Sequence, residues 1–295
     1  MKKLKKFLIK ETIILLSLTF VFTGIVFIGK SYFFANENFY IEEHFIEPSI
    51  DTSLQSPGAI GETEGINIIS PNISEKLQKY YLSELPYHFE YIPENIEEKL
   101  GDKEQIFTNI ITSDHTEKMV DKLRIELYED FFDVRGKMKN KAIQLFGILD
   151  MPNKEFVSVG IHEFAHFIDI YFLEKKVLQD ISVHFYDISW EETKVMKAGQ
   201  SQDDFVSGYS MTNKYEDFAE SFTYYILHNE DFLEKAKQSK KLQQKYDFFG
   251  VFLFKKGEFQ NTDFSVGNTI NDYYWDITKI EIEVENLLQY LQKGI

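Results

Sequence analysis

The chain of 295 residues contains no cysteine. That absence excludes disulfides, cysteine–zinc sites, a thiol nucleophile and a lipidated N-terminal cysteine. Six prolines and 15 glycines are too few for a long disordered protein. Basic residues are scarce too, with 32 Lys and Arg against 48 Asp and Glu and a net charge of -16. A phosphate backbone repels such a surface, so nucleic acid is not an expected partner. Against these deficits, 43% of the residues are hydrophobic and 16% aromatic, enough to fill a proper core.

The N-terminus departs from the acidic remainder. Lys2, Lys3, Lys5, Lys6 and Lys10 crowd the first ten residues, and Thr12 to Gly29 carries no charge. As a helix that run is about 27 Å long, close to the thickness of a bilayer's hydrocarbon core. The lysines before it predict a cytoplasmic tail (1–11), a transmembrane signal anchor (12–29) and an extracellular remainder. A secreted protein released by signal cleavage is the alternative, although Phe33 and Phe34 spoil the small-residue pattern around Ala35. Five lysines and one glutamate lie in residues 1–11, so the rest holds 27 basic against 47 acidic residues. The abundance of Lys, Ile, Asn, Glu, Phe and Tyr points to a low-GC bacterium.

Residues 30–72 carry Ser, Gly, Pro and acidic punctuation without helical periodicity, which predicts a stalk. A domain is expected over 73–295, beginning with a helix from Ile73. "YHFEYI" (87–92) reads as a strand and "ENIEEKLG" as a short helix ended by Gly101. "TEKMVDKLRIELYE" (116–129) reads as a helix. Residues 131–149 read as two strands around a turn near Gly136 to Asn140, with an edge strand within 140–148. A helix is expected from Pro152 and Asn153 to about Leu173, with Asn153 as its cap. Residues 174–208 read as polar and ambiguous, with His184 in a strand-like alternation. Helices follow at 214–228, 230–246 and 271–292. The expected class is α+β, mainly α, with a small edge sheet.

The sharpest signal is "GIHEFAHFID" (160–169). Positions i and i+4 share a helix face, so His162 and His166 point the same way and can bind one zinc ion. Glu163 is one step round, placed to take a proton from water at the metal. With seven histidines in the chain, a chance H-E-x-x-H arises in on the order of one chain in a hundred of this kind. The flanking apolar runs predict a buried helix, where two His and a Glu without a metal would be costly. Asp169 lies on the same face and could accept a hydrogen bond from an imidazole.

The helix supplies two ligands, and a third must come from elsewhere. His44 falls in the stalk, and His88, His115, His184 and His228 fit ordinary core or surface roles. "GYSMTNKYEDFAESFTYY" (208–225) offers Glu216 and Glu220 on one helix face. One can bind the metal while the other accepts a hydrogen bond from a ligating histidine. Glu216 is the first choice as ligand and Glu220 its rival, although Asn213 and Glu216 also resemble a capping box. Tyr209, seven residues before Glu216, could donate to an oxyanion or be an ordinary core tyrosine.

These residues resemble the catalytic domain shared by anthrax lethal factor and the Pro-Pro endopeptidases, gluzincin zinc metallopeptidases. That pattern is H-E-x-x-H, then Tyr, then Glu seven later, then Glu four beyond. The likeness spans roughly residues 140 to 228; "HEFAH…D" and "Y-x-x-T-N" also resemble the Mlc titration factor family. It implies a zincin-like fold, one zinc per chain on His162, His166 and Glu216, and a base at Glu163. It further implies an oxyanion donor at Tyr209, and at Glu220 an acceptor behind a histidine. The expected function is a membrane-anchored zinc endopeptidase acting on protein or peptide substrates. A zinc-stabilised surface module without catalysis, or a regulator like the Mlc titration factor, is the alternative.

Overall fold

The computed structural model describes residues 86–174, 180–262, 264–266 and 273–293. The basic tail, anchor, stalk and the helix expected from Ile73 lie outside the described residues, as does His44.

Four strands form the main sheet: β1 (Tyr87–Ile92), β2 (Leu123–Tyr128), β3 (Gly136–Lys139) and β4 (Ala142–Leu145), in the order β1-β2-β4-β3. β1, β2 and β4 run parallel, and β3 is antiparallel to β4. Asn140 and Lys141 both take positive φ, as a two-residue hairpin between right-twisted strands requires. Between β1 and β2 the chain passes through helix α1 (Lys103–Ile111).

Three expectations fail here. The turn expected near Gly136 to Asn140 lies at Asn140 and Lys141, because Gly136–Lys139 is strand β3. The helix expected over 116–129 is a short 3-10 turn at Glu117–Met119 followed by β2. Leu123, Ile125 and Leu127 are fully buried while Arg124, Glu126 and Tyr128 form a hydrogen-bonded set on the opposite face. That is the period of a strand. The edge strand expected within 140–148 is β4, which is interior, because β2 pairs with its other side. β3 is the edge.

Helix α2 (Asn153–Phe167) packs on β3 and β4 and continues as π-helical turns over Ile168–Leu173. Its N-cap is Pro152, so Asn153 is a helical residue and not the cap. Every residue from Phe156 to Phe167 is buried. The stretch Asn153–Leu173 is long and apolar enough to cross a bilayer, yet 83% of its most apolar window is buried inside the fold. A helix apolar on all sides is a core helix when protein surrounds it. Gly160 permits this packing: a Cβ there would lie 2.6 Å from the Phe107 ring of α1.

Beyond α2 the ambiguous stretch contains helix α3 (Ser182–Ser189), which holds His184, and a hairpin of β5 (Trp190–Glu192) and β6 (Val195–Met196). Helix α4 (Lys214–Leu227) then packs against α2. The helix expected over 230–246 is two, α5 (Asn229–Ala236) and α6 (Lys240–Phe252), because Ser239 caps a new start through Leu242 N–H. The last helix, α7, covers only Val284–Gln292. Phe185, Phe218, Phe222 and Phe249 stack edge to face and join α3, α4 and α6. Lys245 and Asp217, both fully buried, pair at 2.8 Å, and Trp190 Nε1 donates to Asp217 at 2.9 Å. The fold is mixed α/β, roughly half helical, with a small sheet, so helix outweighs strand as expected.

Candidate metal centre

Helix α2 sets the two histidines one turn apart, with ring centroids separated by 5.0 Å. Helix α4 brings the third group. Asn213 caps α4 by accepting from the N–H groups of Tyr215 and Glu216 at 2.9 and 3.1 Å. This is half of a capping box: the Glu216 side chain turns to the histidines instead of back to the cap. Glu216 Oε2 lies 3.1 Å from His162 Nε2 and 3.3 Å from His166 Nε2. The three donor atoms lie within 4.8 Å of one another, and no other such group occurs among the described residues.

Glu220, one turn further along α4, is fully buried. Its Oε1 lies 3.0 Å from His162 Nδ1. Its Oε2 accepts from Ser207 Oγ at 2.6 Å and from the Ile277 N–H at 2.9 Å. The carboxylate is thus held by two donors at Oε2 and turns Oε1 to the back of His162. That approach does not meet hydrogen-bond geometry, but a proton kept on Nδ1 beside this carboxylate would leave the lone pair of Nε2 aimed at Glu216.

That lone pair confronting a carboxylate oxygen gives a test of fit. Two such atoms repel unless a proton or a cation sits with them. Zinc with bonds of about 2.0–2.1 Å to His N and Glu O has tetrahedral edges of about 3.3 Å. The 3.1 and 3.3 Å spacings match that edge, and a nitrogen–nitrogen–oxygen donor set suits zinc. The residues present fit the ion.

The electrostatics agree. Burial alone would lower the pKa of His162, but Glu216 and Glu220 outweigh it and hold it well above the ordinary value. His166 is raised in the same way by Glu216. Burial opposes ionisation of Glu216, yet His166 and His162 drive its pKa far below the usual carboxylate range. Glu163 shows the reverse balance: burial raises its pKa more than the two histidines lower it.

Glu163 is buried on α2 beneath the edge strand. A Cβ on Gly136 would stand 2.7 Å from Glu163 Cγ and Oε1 and 2.8 Å from Val159 Cγ1. Only glycine lets β3 pass so close to the carboxylate. Tyr209 sits in a 3-10 turn, Tyr209–Met211, with its ring 6.1 Å from that of His162. Burial, then Glu216 and Glu163, raise its pKa, so the phenol keeps its proton.

Asp169 is not one of the three donors, but it lies near enough to His166 to feel its charge. It lies in the π-helical turns, where Tyr186 Oη donates to its Oδ2. Its Oδ1 has no hydrogen-bond partner among the described residues, and burial pushes its pKa up to about 6. No hydrogen bond from an imidazole reaches it among the described residues. The sequence does not single out Ser207, Arg135 or the Ile277 N–H, and it offers Gly136 only as a turn residue. A backbone donor has no residue-type signature, and Ser207 shows only its place two residues before Tyr209.

No curated protein and no solved structure matches the chain. A family model described as "Putative zinc-binding metallo-peptidase" matches residues 127–264, a span from β2 to Phe264 that includes the whole His–His–Glu cradle, and this likeness supports a zinc metallopeptidase.

Proposed function

We propose that this chain is a zinc endopeptidase of the gluzincin type, anchored by residues 12–29 with its catalytic domain outside the cytoplasm. One observation carries the enzymatic reading. Two Nε2 atoms and one carboxylate oxygen form a cation cradle, and a buried fourth group, Glu163, adjoins it without being one of the three donors. A purely structural site has no use for that carboxylate.

His162, His166 and Glu216 would hold one zinc ion per chain. Zinc, when bound, supplies Lewis acidity that polarises a carbonyl and acidifies water. Glu163 takes a proton from the attacking water and passes it to the leaving amine. Its raised pKa brings the carboxyl nearer the range where both transfers are efficient. Tyr209, still protonated, donates to the developing oxyanion. Glu220 holds the tautomer and orientation of His162.

The substrate would lie along β3. Phe146 N–H donates to Arg135 O, so odd-numbered residues of this strand turn their backbone groups to β4. Gly136 and Met138 therefore direct theirs to the free edge, where an extended peptide can pair by strand addition. Gly136 lies against Glu163, so a peptide paired there runs past the base.

The test is cleavage of a mixed peptide library by the full-length chain, wild type against Glu163→Gln. The reading predicts cleavage by wild type and loss of about 10²-fold or more in the variant, at equal zinc content. Equal cleavage by both, or none by a zinc-loaded wild type, would sink it.

A further inference from the structure

Arg135 directly precedes the glycine that touches Glu163, and its side chain leaves the strand to bind elsewhere. Nη1 donates to Glu155 Oε1 at 2.9 Å, in the first turn of α2. Nη2 donates to Asp276 Oδ2 at 2.6 Å and to Thr278 Oγ1 at 2.7 Å. The segment it reaches, 274–278, is tied in turn to the site. Tyr274 O accepts from Gly208 N–H at 3.0 Å, and Trp275 O accepts from Tyr209 N–H at 2.6 Å. Ile277 N–H donates to Glu220 at 2.9 Å. One short segment therefore holds both the phenol and the carboxylate behind His162.

We propose that Arg135 is a positioning residue: its guanidinium locks the edge strand over Glu163 to the segment that carries Tyr209 and Glu220. The planar fork suits the task, because one group must meet two carboxylates and a hydroxyl from different directions. The bridge fixes the distance between the strand that receives the peptide and the donor that meets the reacting carbonyl. Its partners do not depend on it for satisfaction. Glu155 also binds Lys279 at 2.7 Å, and Asp276 Oδ1 accepts from Thr278 N–H and Oγ1 at 2.8 and 2.5 Å. Removing the guanidinium thus frees the segment without leaving a carboxylate bare.

The kinetic part of this inference rests on the peptidase reading; the structural part does not. Hydrogen exchange is measured on the zinc-loaded full-length chain for wild type, Arg135→Ala and Arg135→Lys. The amides of Gly208, Tyr209 and Ile277 are expected to exchange about tenfold faster in Arg135→Ala, with Arg135→Lys intermediate and amides of β1 and β2 unchanged. Unchanged rates at those three amides would overturn the proposal. So would equal acceleration throughout the sheet, since Arg135 would then support the fold as a whole. In the kinetic arm, Arg135→Ala is expected to lower kcat about tenfold, but less than about twofold in a Tyr209→Phe background. Full additivity would exclude action through Tyr209. If wild type cleaves nothing, the peptidase reading falls and the exchange rates alone decide the bridge.

Discussion

Gly136→Ala is the sharpest perturbation the site offers, because one methyl group separates strand packing from chemistry. The added Cβ would stand 2.7 Å from Glu163 Cγ and Oε1 and 2.8 Å from Val159 Cγ1. Ordinary carbon contacts begin near 3.5 Å, so about 0.8 Å of room must be found. Val159 belongs to the buried core and α2 is enclosed by protein, so the edge strand must draw back from α2 and the Glu163 side chain must turn from the methyl. Moving a reacting group by about 1 Å costs up to about 10²-fold in rate, or about 2.7 kcal/mol of barrier. Overpacking costs about 1–3 kcal/mol of stability, partly offset by the alanine's smaller unfolded-state entropy. The expected result is kcat lowered ten- to a hundredfold, zinc content unchanged, and Tm lower by a few degrees. Peptide turnover, metal analysis and thermal unfolding read these out. A variant with wild-type kcat would refute the placement of β3 against the base.

Glu216→Ala is expected to lose zinc, whereas Glu220→Ala keeps it with an affinity weakened about 10- to 100-fold. A competition titration checks this, and the opposite result moves the ligand to Glu220. The metal-free cradle should show its own pH window. His162 has a raised folded pKa, so its contribution to stability is present at low pH and lost as pH rises through that value. Glu216 has a lowered folded pKa, so its contribution is present above the ordinary carboxylate range and lost as pH falls. The Tm difference between zinc-loaded and chelator-treated protein should therefore widen as pH rises past the His162 value, because zinc replaces the lost protons. A difference independent of pH would argue that protons and metal do not share the cradle.

The parts of this site visible in the sequence are the parts set by one helix at a time. His162, Glu163 and His166 share a turn, and Glu216 and Glu220 share another, so the 3.6-residue period is enough to group each set. The contact between the two helices has no local signature, which is why either glutamate could be the ligand. The failures have the same origin. Met119, Val120, Leu123 and Leu127 recur at helical spacing, and Ile125 alone breaks that pattern in favour of a strand. Lys122, with a φ of 53°, ends the preceding turn and resets the period. β4 looked like an edge because its hairpin partner is next to it in sequence, while β2 becomes its other neighbour only in space. Arg135 carries no signal in the sequence, since its partners at 155, 276 and 278 are remote.

The hydrogen bond from Ile277 N–H to Glu220 ties the site to the order of synthesis. The carboxylate that orients His162 acquires its full set of donors only when residue 277 has joined the fold. A ribosome adds about 5–20 residues per second, so His162 and His166 emerge several seconds before that donor exists. During that interval Glu220, which faces His162, lacks one of its two donors. The donor set behind His162 is therefore completed only after all three cradle residues, His162, His166 and Glu216, have been made.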